Sequence, residues 1–366
     1  MNPTQSNDLD LQVDEQTAAM LADSVGRILS DLCTPALLRG VQESGGASRE
    51  ADALWAQLRD AGLVDAMRAD GADGLGWGEM RATIEACGRF GLPVPLVETL
   101  AAQALCRLAG ASLPDGTATI AVARLDGNLV VAEGVAHASR ADHVLVSIPG
   151  QNTDSAQLLC LPGANARRQP SIGIAEPRSQ MIWVREDAQV LGDLPDGVDT
   201  LLVGAAVRSA QIAGACARVL EISTTYASDR VQFGRAISKF QAIQQQLALA
   251  GEWTAMAAMG SQLALRGPGL QLDPVRVASA KQVAGTVVQL CCEIAHAVHG
   301  AIGVTAEYDL QLFTRRLWTW NTDFGSSLYW ARRLGAALID EAPEYSWDCV
   351  IRASGDQASG LASISR

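Results

Sequence analysis

The chain has 366 residues, 48% of them hydrophobic and 19% charged, with a formal net charge of −12. That apolar fraction is ample for a buried core and excludes disorder as the main state. The acidic balance argues against nucleic acid as a partner. The length suits two or three domains at roughly 100–200 residues each.

The first fifteen residues are polar and acidic, so no secretory leader is expected and a cytoplasmic location is. Apolar residues then recur at helical spacing, at Leu21, Val25, Ile28 and Leu29, and again at Leu54, Leu58 and Leu63. Ser48 is a candidate helix cap, but Ala51 stands where a capping box would have glutamate. The glycine-rich stretch 69–78 reads as a loop. Pro93 and Pro95 interrupt the chain before a helix predicted over 96–108. This first region is predicted to be all-helical.

From about residue 114 the pattern changes. Short β-favouring runs fall at 117–122, 128–131, 143–147, 157–161 and 181–184, with Asp126-Gly127 as a hairpin signal between the first two. The expectation is a compact antiparallel β unit with Trp183 in its core. No G-x-G-x-x-G occurs, which argues against a dinucleotide-binding βαβ fold.

From about residue 199 the chain is helical again. Val203, Val207, Ala210, Gly214 and Ala217 trace one face. Val277, Ala280, Val283, Val287, Leu290, Ile294 and Ala297 trace another. The break at Gly267-Pro-Gly269 fits an antiparallel bundle. The apolar stretch 275–304 carries Lys281, Gln282, Glu293 and His296, and is expected to fall short of the roughly 20 apolar residues of a membrane span. After Glu344 the tail is polar and expected to be lightly docked. The eight cysteines form no C-x-x-C pair and the four histidines do not join them at metal-binding spacing. Reduced thiols in helix cores and no metal are expected.

Two motifs carry chemistry. Residues 226–244 contain Arg230-Val-Gln-Phe-Gly-Arg-Ala-Ile-Ser-Lys-Phe-Gln241 and end on Gln244, giving R-x-Q-F-G-x-x-I-x-x-F-Q-x-x-Q. Residues 298–310 contain His299-Gly-Ala-Ile-Gly303. Both resemble the acyl-CoA dehydrogenases, strongly over 199–333 and by layout over the rest. The resemblance implies an α+β fold of an N-terminal helical domain over 1–112, a middle antiparallel β-barrel over 113–198 and a C-terminal four-helix bundle over 199–366. It implies FAD as cofactor and an acyl-CoA thioester as substrate, with an electron-transferring flavoprotein as the usual acceptor, and neither nucleic acid nor membrane as partner.

A guanidinium can grip a pyrophosphate through paired charge-assisted hydrogen bonds. In the family the arginine matching Arg230 does this across a subunit interface. Gln232, Phe233 and Gln241 match positions that contact the cofactor beside it. Gly300 and Gly303 match glycines that admit backbone amides close to the neighbouring subunit's cofactor. His299 matches a packing position.

The sequence departs from the family at four places. Ala297 and Ala301 replace the glutamine and second glycine of the glycine motif. The β unit lacks the Y-x-x-T-E-P-x-A-G-S-D and W-I-T-N stretches. Residues 68–75 replace P-E-x-x-G-G-x-G. The two positions where members carry the catalytic carboxylate fall at Phe324 and Gly204, so the catalytic residue is unassigned. Asp323 adjoins one of them and reads either as a displaced base or as a solvated or capping aspartate.

The residues expected to complete another chain's cofactor site survive, while those for the chain's own site do not. That asymmetry resembles the base-less subunit of heteromeric α2β2 acyl-CoA dehydrogenases, which have one active site per pair of unlike chains. Small residues at Gly204, Ala205, Ala206 and Ala210 suggest room for a bulky sterol or bile-acid side chain, or simply close helix packing. The alternatives are a homomeric dehydrogenase with a displaced base and a non-catalytic scaffold subunit.

Overall fold

The computed structural model describes residues 14–68, 74–150, 155–171, 175–267 and 269–340. Part of the predicted 69–78 loop and the tail after Glu344 lie outside the described residues. Five helices come first: α1 (Glu15–Leu32), α2 (Pro35–Glu43), α3 (Arg49–Asp60), α4 (Trp77–Phe90) and α5 (Leu96–Leu108). Seven strands follow: β1 (Ala118–Asp126), β2 (Leu129–Ala136), β3 (His143–Pro149), β4 (Ala156–Pro162), β5 (Arg167–Pro170), β6 (Arg178–Val184) and β7 (Gln189–Asp193). Then come α6 (Thr200–Asp229), a two-rung hairpin β8 (Val231–Gln232) and β9 (Arg235–Ala236), α7 (Gln241–Ala264), α8 (Pro274–His299), α9 (Leu310–Thr322) and α10 (Ser327–Asp340).

Local chemistry accounts for the boundaries. Ser48 Oγ accepts from the Ala51 amide at 3.3 Å and so caps α3 without a glutamate at the third position. Asp199 caps α6 through the Leu202 amide at 2.6 Å, and Asp273 caps α8 with Pro274 at its first position. The Asp126-Gly127 signal marks the β1–β2 turn, where Gly127 takes φ 59° and Asp126 pairs with Leu129.

The sheet runs β5-β6-β2-β1-β3-β4-β7. It is not closed into the expected barrel, because β5 and β7 are free edges. Nor is it wholly antiparallel, since β1 and β3 pair in parallel, with Ile120 opposite Leu145. Its inner face buries Val130, Val144, Val146, Leu161, Met181 and Trp183 as a separate small core. The larger core joins the first helices to the C-terminal ones. All seven described cysteines are buried, with Cys160 on a strand rather than a helix.

Helix α6 is the axis of the molecule. Residues 202–216 are all buried, so the helix is covered on every side rather than on the one face its apolar period suggested. Two helices, Thr200–Asp229 and Pro274–Val304, are long and apolar enough to cross a membrane, contrary to the expectation for the second. Within the protein 89% and 44% of their apolar windows are buried, and the two pack against each other.

The approach of α4 to α6 needs two glycines. A Cβ on Gly88 would stand 2.0 Å from the Gln211 carbonyl oxygen, and one on Gly214 only 1.9 Å from that of Glu85. Both obstacles are backbone, which cannot swing aside. Gly214→Ala is expected to cost about 1–3 kcal/mol through overpacking, against a gain of less than about 1 kcal/mol in helix propensity. Urea unfolding of the two proteins measures the balance, and an unchanged or higher midpoint would show that the helices can separate at little cost.

Candidate functional site

The residues 226–244 form a helix end, a tight turn and a new helix. Arg230 ends α6, its amide donating to the Tyr226 carbonyl at 2.9 Å and its carbonyl accepting from Ile237 at 2.8 Å. Between them the chain reverses at Phe233 (φ 52°) and Gly234 (φ 79°), two consecutive left-handed residues. Gly234 takes this conformation without strain, whereas Phe233 is an unusual occupant. The turn presents Phe233 to solvent at 92% exposure. Its ring meets Phe240 edge-on at 6.1 Å, and the Arg235 guanidinium lies 4.2 Å above Phe240. Arg230, Gln232 and Gln241 are also exposed.

The second motif ends α8. Gly300 takes φ 63° and opens a 3-10 turn, Gly300–Val304. A Cβ on Gly300 would meet nothing within 4 Å, so its backbone faces open space. Gly303 differs. It is buried, and a Cβ there would lie 2.9 Å from that of His299, so its smallness serves the packing of the turn.

Tyr226 joins the two motifs. Its ring stacks on His299 at 4.4 Å, its hydroxyl donates to the His299 carbonyl at 3.3 Å, and Tyr308 packs against both rings. His299 is 4% exposed, its Nδ1 lies 2.7 Å from the Ala295 carbonyl, and burial pushes its pKa down. It is a packing residue. One end of the helical bundle thus gathers a guanidinium, two side-chain amides, an exposed ring and the open backbone of Gly234 and Gly300.

The two expected carboxylate positions also meet. A Cβ on Gly204 would stand 2.2 Å from the Phe324 ring, although 119 residues lie between them in sequence. Phe324 sits in the α9–α10 turn with φ 52°. Its carbonyl accepts from Trp330 Nε1 at 2.8 Å. Lys281, fully buried on α8, donates to the carbonyls of Trp320, Asn321 and Gly325 at 3.3, 2.9 and 3.0 Å. It satisfies the open C-terminal end of α9 and fixes the turn.

Asp323 is neither solvated nor poised as a base. It accepts two hydrogen bonds from Arg178, at 2.8 and 2.7 Å, and lies 3.3 Å from Arg208 Nε. Arg178 also bonds Glu176, and Arg208 reaches Glu98 at 3.3 Å and Gln211 at 2.6 Å. The Arg208 guanidinium stands 5.3 Å over Trp320 and 5.8 Å over Phe324. Burial would push the Glu176 carboxyl up, but Arg178 and Arg208 together hold it well below the usual carboxylate range. His137 faces the lattice with Nε2 3.8 Å from Glu98, and burial pushes its pKa down. An aspartate held on both oxygens by arginine is oriented by its ion pairs rather than toward a substrate proton. A cleft of about 380 Å³ is lined by Glu176 and Arg178 themselves, with Gln42, Ser139, Ser179 and Arg315, and Gly204 is not among its lining residues.

Residues 198–327 match the acyl-CoA dehydrogenase C-terminal domain. Over those residues, and more faintly over the rest, the chain is similar to the acyl-CoA dehydrogenases. It is similar to acyl-CoA dehydrogenase IpdE2 of Mycobacterium tuberculosis, at 28% identity over 304 residues, which is 81% of this chain and 89% of that relative. Its fold is similar to one chain of the ChsE4–ChsE5 complex of M. tuberculosis, with a TM-score of 0.73 and 21% identity over 90% of this chain and 98% of that one. It is equally similar to a chain of the Tcur3481–Tcur3483 steroid ACAD, with a TM-score of 0.73 and 22% identity over 90% and 99%. The family's members are FAD-dependent flavoproteins. The residues present fit that cofactor unevenly. The open backbone at Gly234 and Gly300 beside Arg230 leaves room for a phosphate-bearing group, whereas Phe324 fills the space before Gly204.

Proposed function

We propose that this chain is one of two unlike subunits of a heteromeric acyl-CoA dehydrogenase. Arg230, Gln232, Phe233, Gln241 and Gly300, with Gly303 shaping the turn, complete the site of an FAD held chiefly by the partner chain. Bound FAD supplies the hydride acceptor for α,β-dehydrogenation of the thioester. The chain's own part is to grip the pyrophosphate with Arg230 and to cover the cofactor with the Phe233 turn. The base comes from the partner. The observation that carries this reading is the contact of Gly204 with Phe324, because both positions for a base lack a proton acceptor while Asp323 is committed to two arginines.

The small residues of α6 do not argue for a wide acyl pocket. Ala205, Ala206 and Ala210 are wholly buried in helix packing. A bulky, steroid-type acyl group is supported instead by the similarity to a steroid ACAD. An electron-transferring flavoprotein is the acceptor we assign. Co-expression with a homologous dehydrogenase chain, followed by mass measurement and the flavin absorbance spectrum, tests the reading. A yellow complex with one FAD per pair of unlike chains is expected. A colourless complex would favour the scaffold reading, to which the filled cleft lends support, and an active yellow homo-oligomer would favour a displaced base.

A further inference from the structure

Four segments distant in sequence meet where the sheet joins the bundle. Glu176 comes from the bend before β6 and Arg178 from its first position, Asp323 and Phe324 from the α9–α10 turn, Arg208 from α6 and Glu98 from α5. Glu98, Glu176 and Arg208 are 3%, 7% and 2% exposed, and the side chains of Arg178 and Asp323 are 9% and 10% exposed. Each of the three carboxylates is already taken by an arginine, and Trp320 Nε1 adds a further donor to Glu176 at 3.3 Å. The three carboxylates of this lattice are thus satisfied internally, although Arg178 Nε and Arg208 Nε have no hydrogen-bond partner. Beside it, the space in front of Gly204 holds the Phe324 ring. Buried ion pairs contribute little net stability, because desolvation offsets their attraction, but they fix geometry when every member is paired.

We infer that this joint is a permanent latch, in which Arg178, Asp323 and Arg208 tie the sheet to the bundle and Phe324 plugs the space above Gly204. The chain's own cleft then takes up neither a flavin ring nor an acyl thioester, and holds its shape without a ligand. The inference rests on the heteromeric reading, in which the working cleft belongs to the partner.

Hydrogen–deuterium exchange on the full chain tests it. Residues 176–184 and 320–326 are expected to exchange slowly in the chain alone. Their rates are expected not to change when FAD or a straight-chain acyl-CoA thioester is added. Protection of those residues that appears only with either ligand would overturn the latch. Asp323→Asn is expected to speed exchange across 176–184 by at least about tenfold, since a buried guanidinium loses its ionised partner. An unchanged rate in that variant would equally overturn it. Should the variant fail to fold, the ligand arm on the unaltered chain decides. The heteromeric reading fails separately: in the complex with partner and FAD, residues 226–244 and 298–308 are expected to gain protection. Absence of that gain, with 176–184 still protected, would sink the shared-cofactor reading and leave the latch standing.

Discussion

Arg230→Ala is expected to weaken FAD binding by the assembled complex about tenfold to a hundredfold while leaving the fold intact. The guanidinium is exposed and, among the described residues, makes no ion pair within its own chain. Its backbone holds the α6 end through Tyr226 and Ile237, and alanine keeps both of those bonds. The substitution therefore removes only what the side chain does for a ligand. A charge-assisted hydrogen bond to a phosphate is worth roughly 1.5–3 kcal/mol, which sets the range. Arg230→Lys keeps the charge but not the planar paired geometry, and falls between the two. Flavin fluorescence titration of the three complexes gives the dissociation constants. Equal affinities for arginine and alanine would remove Arg230 from the cofactor.

Arg208→Met is expected to destabilise the chain by about 3–5 kcal/mol, because it leaves Asp323 and Glu98 short of a buried partner. Methionine fills much of the same volume, so the loss is electrostatic rather than a cavity. Equilibrium denaturation reads it, and a loss below about 1 kcal/mol would mean that water reaches the lattice. The acid limb of the same measurement has a definite sign. The folded pKa of Glu176 lies below its ordinary value of 4.5. Its contribution is therefore fully present above that value and is lost as pH falls through the lower folded one. Glu176→Gln is expected to differ most from the parent chain above pH 4.5, and the gap is expected to close on further acidification.

Much of this architecture was legible along the chain, for physical reasons. The pair Pro93 and Pro95 fixed the start of α5 at Leu96, and Asp126-Gly127 fixed the first hairpin, because both signals act on the local backbone. Strands β5 and β7 were not foreseen, since the polar Arg167-Arg-Gln-Pro170 and the Gly192-containing β7 lie at sheet edges with little apolar pattern. Sheet closure depends on edge pairing, which no local pattern encodes. The Arg230 turn could be read because its chemistry is contiguous. The lattice could not: Arg178 meets Asp323 across 145 positions and Arg208 meets Glu98 across 110. A faint signal did exist. Arg208 is the lone charge in the apolar run from Leu201 to Cys216, and Lys281 interrupts another such run. A charge in a wholly buried stretch implies partners elsewhere.

The contact between Phe324 and Gly204 also limits what a single substitution could do. A glutamate placed at position 204 would collide with the ring, whose nearest carbon stands 2.2 Å from where its Cβ must go. A glutamate at position 324 would arrive beside Asp323, whose arginines are already spoken for. Neighbouring changes of this kind are strongly non-additive. Either substitution alone is therefore expected to disturb the joint rather than supply a base. On the heteromeric reading proposed above, neither single substitution would give this chain a working base of its own.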